Sequence, residues 1–155
     1  MTTVLRLARP LDAYPLWLWA NDPVTRAASG DRPMIGWADH LTWFQSRLDG
    51  KDAILFVADE GSQPVGTIRF ETTDGWRTAR LSYGVAPEAR GRGVASQVLA
   101  LGIADLIRRV PTVEVEAWVR ASNVPSIRLF RNLKWPERAG PDGQLVFRGP
   151  VGEGR

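Results

Sequence analysis

The sequence predicts an α/β domain in which one mixed β-sheet carries helices on both faces. Two observations lead there. Segments with strand periodicity and segments with helix periodicity follow one another in the order β-α-α-β-β-β-α-β-α-(β)-β, the pattern of a layered α/β architecture. The chain also has a one-domain length. Its 155 residues, read as a single domain over 1–155, can hide roughly two-thirds of the unfolded chain's surface in a core.

Val4–Leu7 alternates and reads as the first strand. Leu11–Ala20 is apolar enough for a helix, stopped by Asn21-Asp22-Pro23, and a looser polar stretch runs on to Pro33. Trp37, Leu41, Phe44 and Leu48 recur at helical spacing and mark one buried face, and Gly50 ends that helix. Ala53–Ala58 and Val65–Phe70 are continuous apolar runs of strand length. Thr73-Asp74-Gly75 supplies turn chemistry for a hairpin to a returning strand, on which Ala79, Leu81, Tyr83 and Val85 share a face. Pro87 closes that strand because proline cannot donate to a ladder. Val94–Ile107 is helical again and Val113–Val119 alternates. Asn123 is a good helix cap with Pro125 tolerated in the first turn, and Ile127, Phe130 and Leu133 form the buried side. Leu145–Phe147 makes a short closing strand.

Composition narrows the function. Apolar residues are 44% and charged residues 24%, which excludes a generally disordered chain. No cysteine is present, which excludes thiolate metal sites, a disulfide scaffold and a cysteine nucleophile; with a single histidine, no metal is expected. No apolar run approaches the ~20 residues of a membrane span, and Met1–Thr3 opens nothing like a signal peptide, so a cytoplasmic protein without membrane partners is expected. The net charge is +3. Residues 1–60 carry 6 bases against 8 acids, and residues 61–155 carry 14 against 9. That excess is too small to suggest nucleic acid as a partner, but it suits a small polyanion held by the C-terminal part.

One segment carries chemistry. After the strand ending at Val85, Pro87-Glu88-Ala89-Arg90-Gly91-Arg92-Gly93 leads into the helix that begins with Val94-Ala95. The glycines permit positive φ and close approach of a ligand to the backbone. Unpaired N–H groups of the loop and first helical turn converge on one spot, backed by the helix dipole. With Arg90 and Arg92 they make a cradle for a pyrophosphate. The P-loop lysine pattern is absent, and no second βαβ unit follows.

Arg90-Gly91-Arg92-Gly93-Val94-Ala95 resembles the Arg/Gln-x-x-Gly-x-Gly/Ala signature of the GNAT superfamily of acetyl-CoA-dependent N-acetyltransferases. Leu81–Glu88 looks like that family's fourth strand. Glu116–Val119 with Asn123-x-x-Ser126-x-x-Leu129-Phe130 resembles its fifth strand and following helix. The resemblance implies a mostly antiparallel sheet of six to seven strands, with strands four and five splayed after Val85 so that pantetheine lies between them. It implies that the backbone from Arg90 to Ala95 holds the coenzyme A pyrophosphate. Asn123 would contact the pantetheine arm while capping its helix, Ser126 would sit beside it or merely pack, and the Val85 N–H would polarise the thioester carbonyl. In the N-terminal half, Trp19-Ala20-Asn21-Asp22-Pro23-x-x-Arg26-x-x-Ser29 and His40-x-x-Trp43-Phe44 resemble two branches. These are the aminosugar N-acetyltransferases acting on nucleotide-linked sugars and the ribosomal-protein N-terminal acetyltransferases. Asn21, Arg26, Ser29 and His40 are therefore candidate acceptor contacts. Asn21 could equally be a helix stop, Arg26 a surface arginine paired with Asp22 four residues earlier, and His40 a packed, hydrogen-bonded core residue.

The chain departs from the family pattern in three places. The tyrosine that often protonates the leaving thiolate is Phe130; only Tyr14 and Tyr83 could substitute and neither is at the expected place, so water is expected to serve, since a thiol pKa near ~8.5 makes the thiolate a tolerable leaving group. The common Gly-Phe after that helix is Lys134-Trp135. The glutamate common on the fourth strand is Arg80, so Glu116 is the candidate base, with Glu71 a weaker one; a surface carboxylate paired with arginine is the competing reading of Glu116. The expected reaction is direct acetyl transfer from acetyl-CoA to a small-molecule amine, by a monomer or homodimer. A nucleotide-linked aminosugar is preferred over a protein N-terminus as acceptor, and a non-catalytic acyl-CoA-binding module is the rival class.

Overall fold

The computed structural model describes residues 2–30 and 33–149. Its elements are β1 (Thr3–Leu7), α1 (Ala13–Ala20), α2 (Pro23–Ala28), α3 (Trp37–Asp49), β2 (Ala53–Glu60), β3 (Gln63–Glu71), β4 (Thr78–Val85), α4 (Val94–Arg109), β5 (Glu114–Arg120), α5 (Val124–Asn132), β6 (Glu137–Ala139) and β7 (Gln144–Arg148). The strands form one sheet in the order β1-β2-β3-β4-β5-β7-β6, antiparallel throughout except for the parallel pair β4 and β5. Among the described residues no helix is long and apolar enough to cross a membrane.

The alternation of the strands sorts side chains onto two cores. On one face Phe56, Ile68, Phe70, Leu81, Val115, Ala117 and Phe147 pack under α4 and α5 through Val98, Leu106, Ile127 and Phe130. On the other, Leu55 and Val57 pack under α1 and α3 through Leu16 and Phe44. Gly102 lets α4 lie close on β3, since a Cβ there would meet Ile68 at 2.7 Å.

Three details differ from the sequence expectation. The polar stretch after Ala20 contains a helix, α2, because the Asp22 carboxylate accepts from the Val24 and Thr25 N–H groups and Pro23 sits where its missing N–H costs nothing. The first helix is entered through a tight 3-10 turn, Pro10–Asp12. The fourth and fifth strands part earlier than Val85. They pair only from Thr78↔Glu114 to Leu81↔Ala117. Beyond that, β4 follows β3 to Gly66↔Val85, and β5 follows β7 to Arg120↔Gln144. Each strand keeps its antiparallel neighbour and loses the parallel one, the weaker pairing.

An ion-pair cluster fixes the α1 wall to the sheet. Arg6 on β1 donates to both Asp12 oxygens at 2.8 and 2.9 Å and to Asp59 on β2 at 2.6 Å, while the Arg9 N–H donates to Asp12 at 2.7 Å. Asp12 is 5% exposed. Burial works to raise its pKa, but the bonds from Arg6 and Arg9 outweigh it and hold the carboxyl below its ordinary value. A depressed native pKa contributes stability above the unfolded value near ~4, lost as pH falls through the native one. Asp12→Ala should lower stability by about 3 kcal/mol at pH 7 in chemical denaturation. The gap to the parent should narrow on acidification below pH ~4.

Candidate active site

The parting of β4 and β5 leaves backbone groups without a partner strand. The Ala86 N–H donates to the Val65 carbonyl across β3. Backbone direction alternates along a strand, so the N–H groups of Tyr83 and Val85 point the other way, into the gap that β5 has vacated. The gap opens into a cavity of about 360 Å³ whose lining includes Leu81, Tyr83, Trp118, Asn123 and Ser126. A larger cavity of about 740 Å³ lies on the α1–α3 side of the sheet. Ser29, Ser82 and Tyr83 line both, so these three residues mark where the two cavities meet.

The glycine loop adjoins this opening. Gly91 and Gly93 adopt φ of 78° and 77°, a left-handed conformation that a side chain strains. Nothing lies within 4 Å of where a Cβ would stand at either, and Gly93 begins α4 with no side-chain cap. The loop backbone is thus bare, and the first N–H groups of α4 have no capping side chain, which fits a phosphate-bearing ligand. The arginines are less available than the sequence suggested. Arg90 donates to Asp22 at 2.7 Å and to Thr25, tying the loop to the start of α2, and Arg92 pairs with Glu60 at 2.9 Å. The Arg90 hydrogen bond holds the Asp22 carboxyl below the usual carboxylate range. Val94 is buried in the main core, so within this segment it is the backbone that is free to meet a ligand.

Of the acceptor candidates, Arg26, Ser29 and His40 line the larger cavity. Arg26 is not paired with Asp22, which Arg90 has taken; its Nε donates to the Ala20 carbonyl at 2.6 Å. His40 is 3% exposed, its Nε2 bonded to the Ala13 carbonyl at 2.8 Å and its ring stacked on Phe44. Burial lowers its pKa against that bond, so the imidazole is neutral at pH 7 and acts as a packed wall. Asn21 is not brought to the cavity: its amide clasps the Ile35 backbone, accepting from N–H at 2.7 Å and donating to C=O at 2.9 Å. Asn123 caps α5 by accepting from the Ser126 N–H and lines the smaller cavity at the same time.

Glu116 stands apart. It sits on the paired part of the strands, level with Arg80, and lines neither cavity. Arg138 from β6 reaches it at 3.0 Å and Arg148 from β7 at 3.5 Å, and the Trp118 indole donates to it at 3.3 Å. These partners spend the carboxylate in ion pairs across β5, β7 and β6 and fit the arginine-paired reading over the base. Glu71 is likewise held, by Arg47 and Arg69. Trp19 and Trp43, from the two motifs of the N-terminal half, also line the larger cavity, and two further lining residues were not singled out from sequence: Asp39 and Arg69, whose guanidinium lies 4.9 Å over the Trp43 ring. Tyr83, set aside as an acid because it is not on the helix after the fifth strand, lines both cavities. Its hydroxyl is hydrogen-bonded to the Ser126 Oγ. The signal available for it was its place two residues beyond Leu81 on the same strand face as the core.

Solved structures share this fold. It matches an acetyltransferase from Thermus thermophilus with a TM-score of 0.82 at 20% identity, covering 97% of this chain and 98% of that one. It matches the aminoglycoside acetyltransferase AAC(6')-Ib in complex with coenzyme A with a TM-score of 0.78 at 20% identity, covering 97% and 95%. A ribosomal-protein-alanine N-acetyltransferase from Brucella melitensis matches at 26% identity and a TM-score of 0.76, covering 96% and 99%. The sequence matches no curated protein. The model of the acetyltransferase (GNAT) family matches residues 3–135. With most of its length so matched, the chain belongs to the acetyltransferase (GNAT) family and is an acetyl-CoA-dependent N-acetyltransferase.

Proposed function

We propose that the acceptor is a nucleotide-linked aminosugar, bound in the larger cavity. The observation that supports this is the cavity's combination of two guanidinium groups, Arg26 and Arg69, with two indoles, Trp19 and Trp43. Cations suit a diphosphate and flat aromatic faces suit a base or a sugar ring. A protein N-terminus is the second reading, favoured by the 26% identity to the ribosomal-protein-alanine N-acetyltransferase.

In this proposal the bare backbone from Arg90 to Ala95 (Arg90, Gly91, Arg92, Gly93, Val94 and Ala95) holds the donor's pyrophosphate. Asn123 and Ser126 flank its pantetheine arm in the smaller cavity. Bound acetyl-CoA supplies the activated thioester. The Val85 N–H, aimed into the gap, donates to the carbonyl oxygen as charge develops there. The amine comes from the larger cavity, past Ser29 and Ser82. Asp39, the one carboxylate among the described lining residues of that cavity, is exposed to water at the start of α3, and the amine's proton leaves to water. Proximity at the junction of the cavities carries much of the acceleration.

Two variants test the parts separately. Gly93→Val, at a φ of 77°, should leave the fold intact but weaken acetyl-CoA binding at least tenfold, ~1.4 kcal/mol, in calorimetry. Unchanged affinity would remove the loop from the donor site. Arg26→Ala should raise the KM for an aminosugar nucleotide roughly tenfold with acetyl-CoA affinity unchanged, because it removes a charge-assisted contact present in ground and transition states alike. Turnover of N-terminal peptides alone would instead establish the second reading.

A further inference from the structure

Resting on the reading that the donor lies in the gap between β4 and β5, we infer that Tyr83 is the general acid that protonates the departing coenzyme A thiolate. Acyl transfer must occur where the donor cavity meets the acceptor cavity. The residues lining both are Ser29, Ser82 and Tyr83. All three carry a hydroxyl, but only a phenol, ordinarily near pKa ~10, is acidic enough to protonate a thiolate whose thiol lies near ~8.5. An aliphatic hydroxyl is far too weak an acid. Phe130, on the helix where a tyrosine was expected, has no proton to give. Its ring packs edge-on against Tyr83, 6.2 Å between centroids, and stacks on Phe147 at 5.3 Å. The hydroxyl missing from α5 is therefore present on β4, carried on the neighbouring ring.

The surroundings of the phenol suit that role. Ser126 is 6% exposed, and its Oγ is the partner of the Tyr83 hydroxyl. Its N–H is in turn held by the Asn123 side chain at the start of α5. Ser126 can accept from the neutral phenol and donate to the phenolate, so the same contact serves both protonation states. Burial raises the phenol's pKa, offset in part by Ser126, so the ring stays protonated until negative charge builds on the departing sulfur beside it. In the step, the amine nitrogen bonds to the acetyl carbon and the C–S bond breaks. The electron pair goes to sulfur, the phenolic proton follows it to give the free thiol, and the amine's surplus proton goes to water. Solvent from the open cavity returns a proton to the phenolate.

Tyr83→Phe keeps the ring and removes only the hydroxyl. It should lower kcat at least a hundredfold with the fold and acetyl-CoA affinity retained, the melting temperature falling only by the few degrees that loss of the Ser126 contact costs. A second measurement needs no variant. If the hydroxyl faces the sulfur, the parent protein should bind coenzyme A several-fold more tightly than desulfo-coenzyme A in calorimetry, and Tyr83→Phe should abolish that preference. A loss of kcat below tenfold, or equal affinity of the parent for the two ligands, would overturn the assignment and return the proton to water. Failure of the parent to bind coenzyme A at all would overturn the donor reading itself, a result distinct from failure of Tyr83 alone.

Discussion

Two neighbouring strands that run parallel for four residues and then part impose the geometry on which everything else depends. A sheet ladder normally consumes every interior N–H and C=O, and leaving such groups unpaired in a buried place costs free energy. Here the opening beyond Leu81 and Ala117 leaves the inward-facing groups of Tyr83 and Val85 without a strand. The sheet tolerates this because β3 and β7 continue to pair with the outer edges of the parted strands. In the proposed complex the cost is recovered by the donor lying in the gap as a substitute strand. A bare glycine loop and a helix start adjoin the same opening, so one structural defect collects hydrogen-bond donors, positive dipole and a passage between two cavities.

The flanking elements serve to hold that opening in register with the acceptor side. Arg90, at the mouth of the loop, reaches Asp22 and Thr25 at the start of α2. Asn21, one residue earlier, clasps Ile35 and so fixes the segment that walls the larger cavity. The glycine loop and the wall of the larger cavity are thereby linked through the residues Asn21 and Asp22. That linkage explains why the short helix α2 is capped so firmly, although it is exposed and has no buried residue of its own.

The order of elements, the glycine loop and the cap of α5 were legible in the sequence because each rests on local rules: periodicity, positive φ and capping. The features that escaped rest on distant partners. Glu116 reads equally as a base or as an arginine-paired carboxylate until β6 and β7 bring Arg138 and Arg148 alongside it. Arg26 reads as the partner of Asp22 until Arg90, 68 residues away, takes that carboxylate. The point at which β4 and β5 part is decided by competition between their two other neighbours, which no window of sequence contains. Tyr83 looked misplaced for acid chemistry because a tyrosine was sought on α5. Space, and not position along the chain, brings its hydroxyl to Ser126, 43 residues away.

The parted strands can be tested directly by amide hydrogen exchange with and without acetyl-CoA. If the gap and loop form the donor site, adding acetyl-CoA should slow exchange at Tyr83 and Val85 and across Gly91–Ala95, while the amides of the β1–β2 pair stay unchanged. Protection spread evenly over the sheet, or absent from Val85 and the loop, would contradict the placement of the donor between β4 and β5.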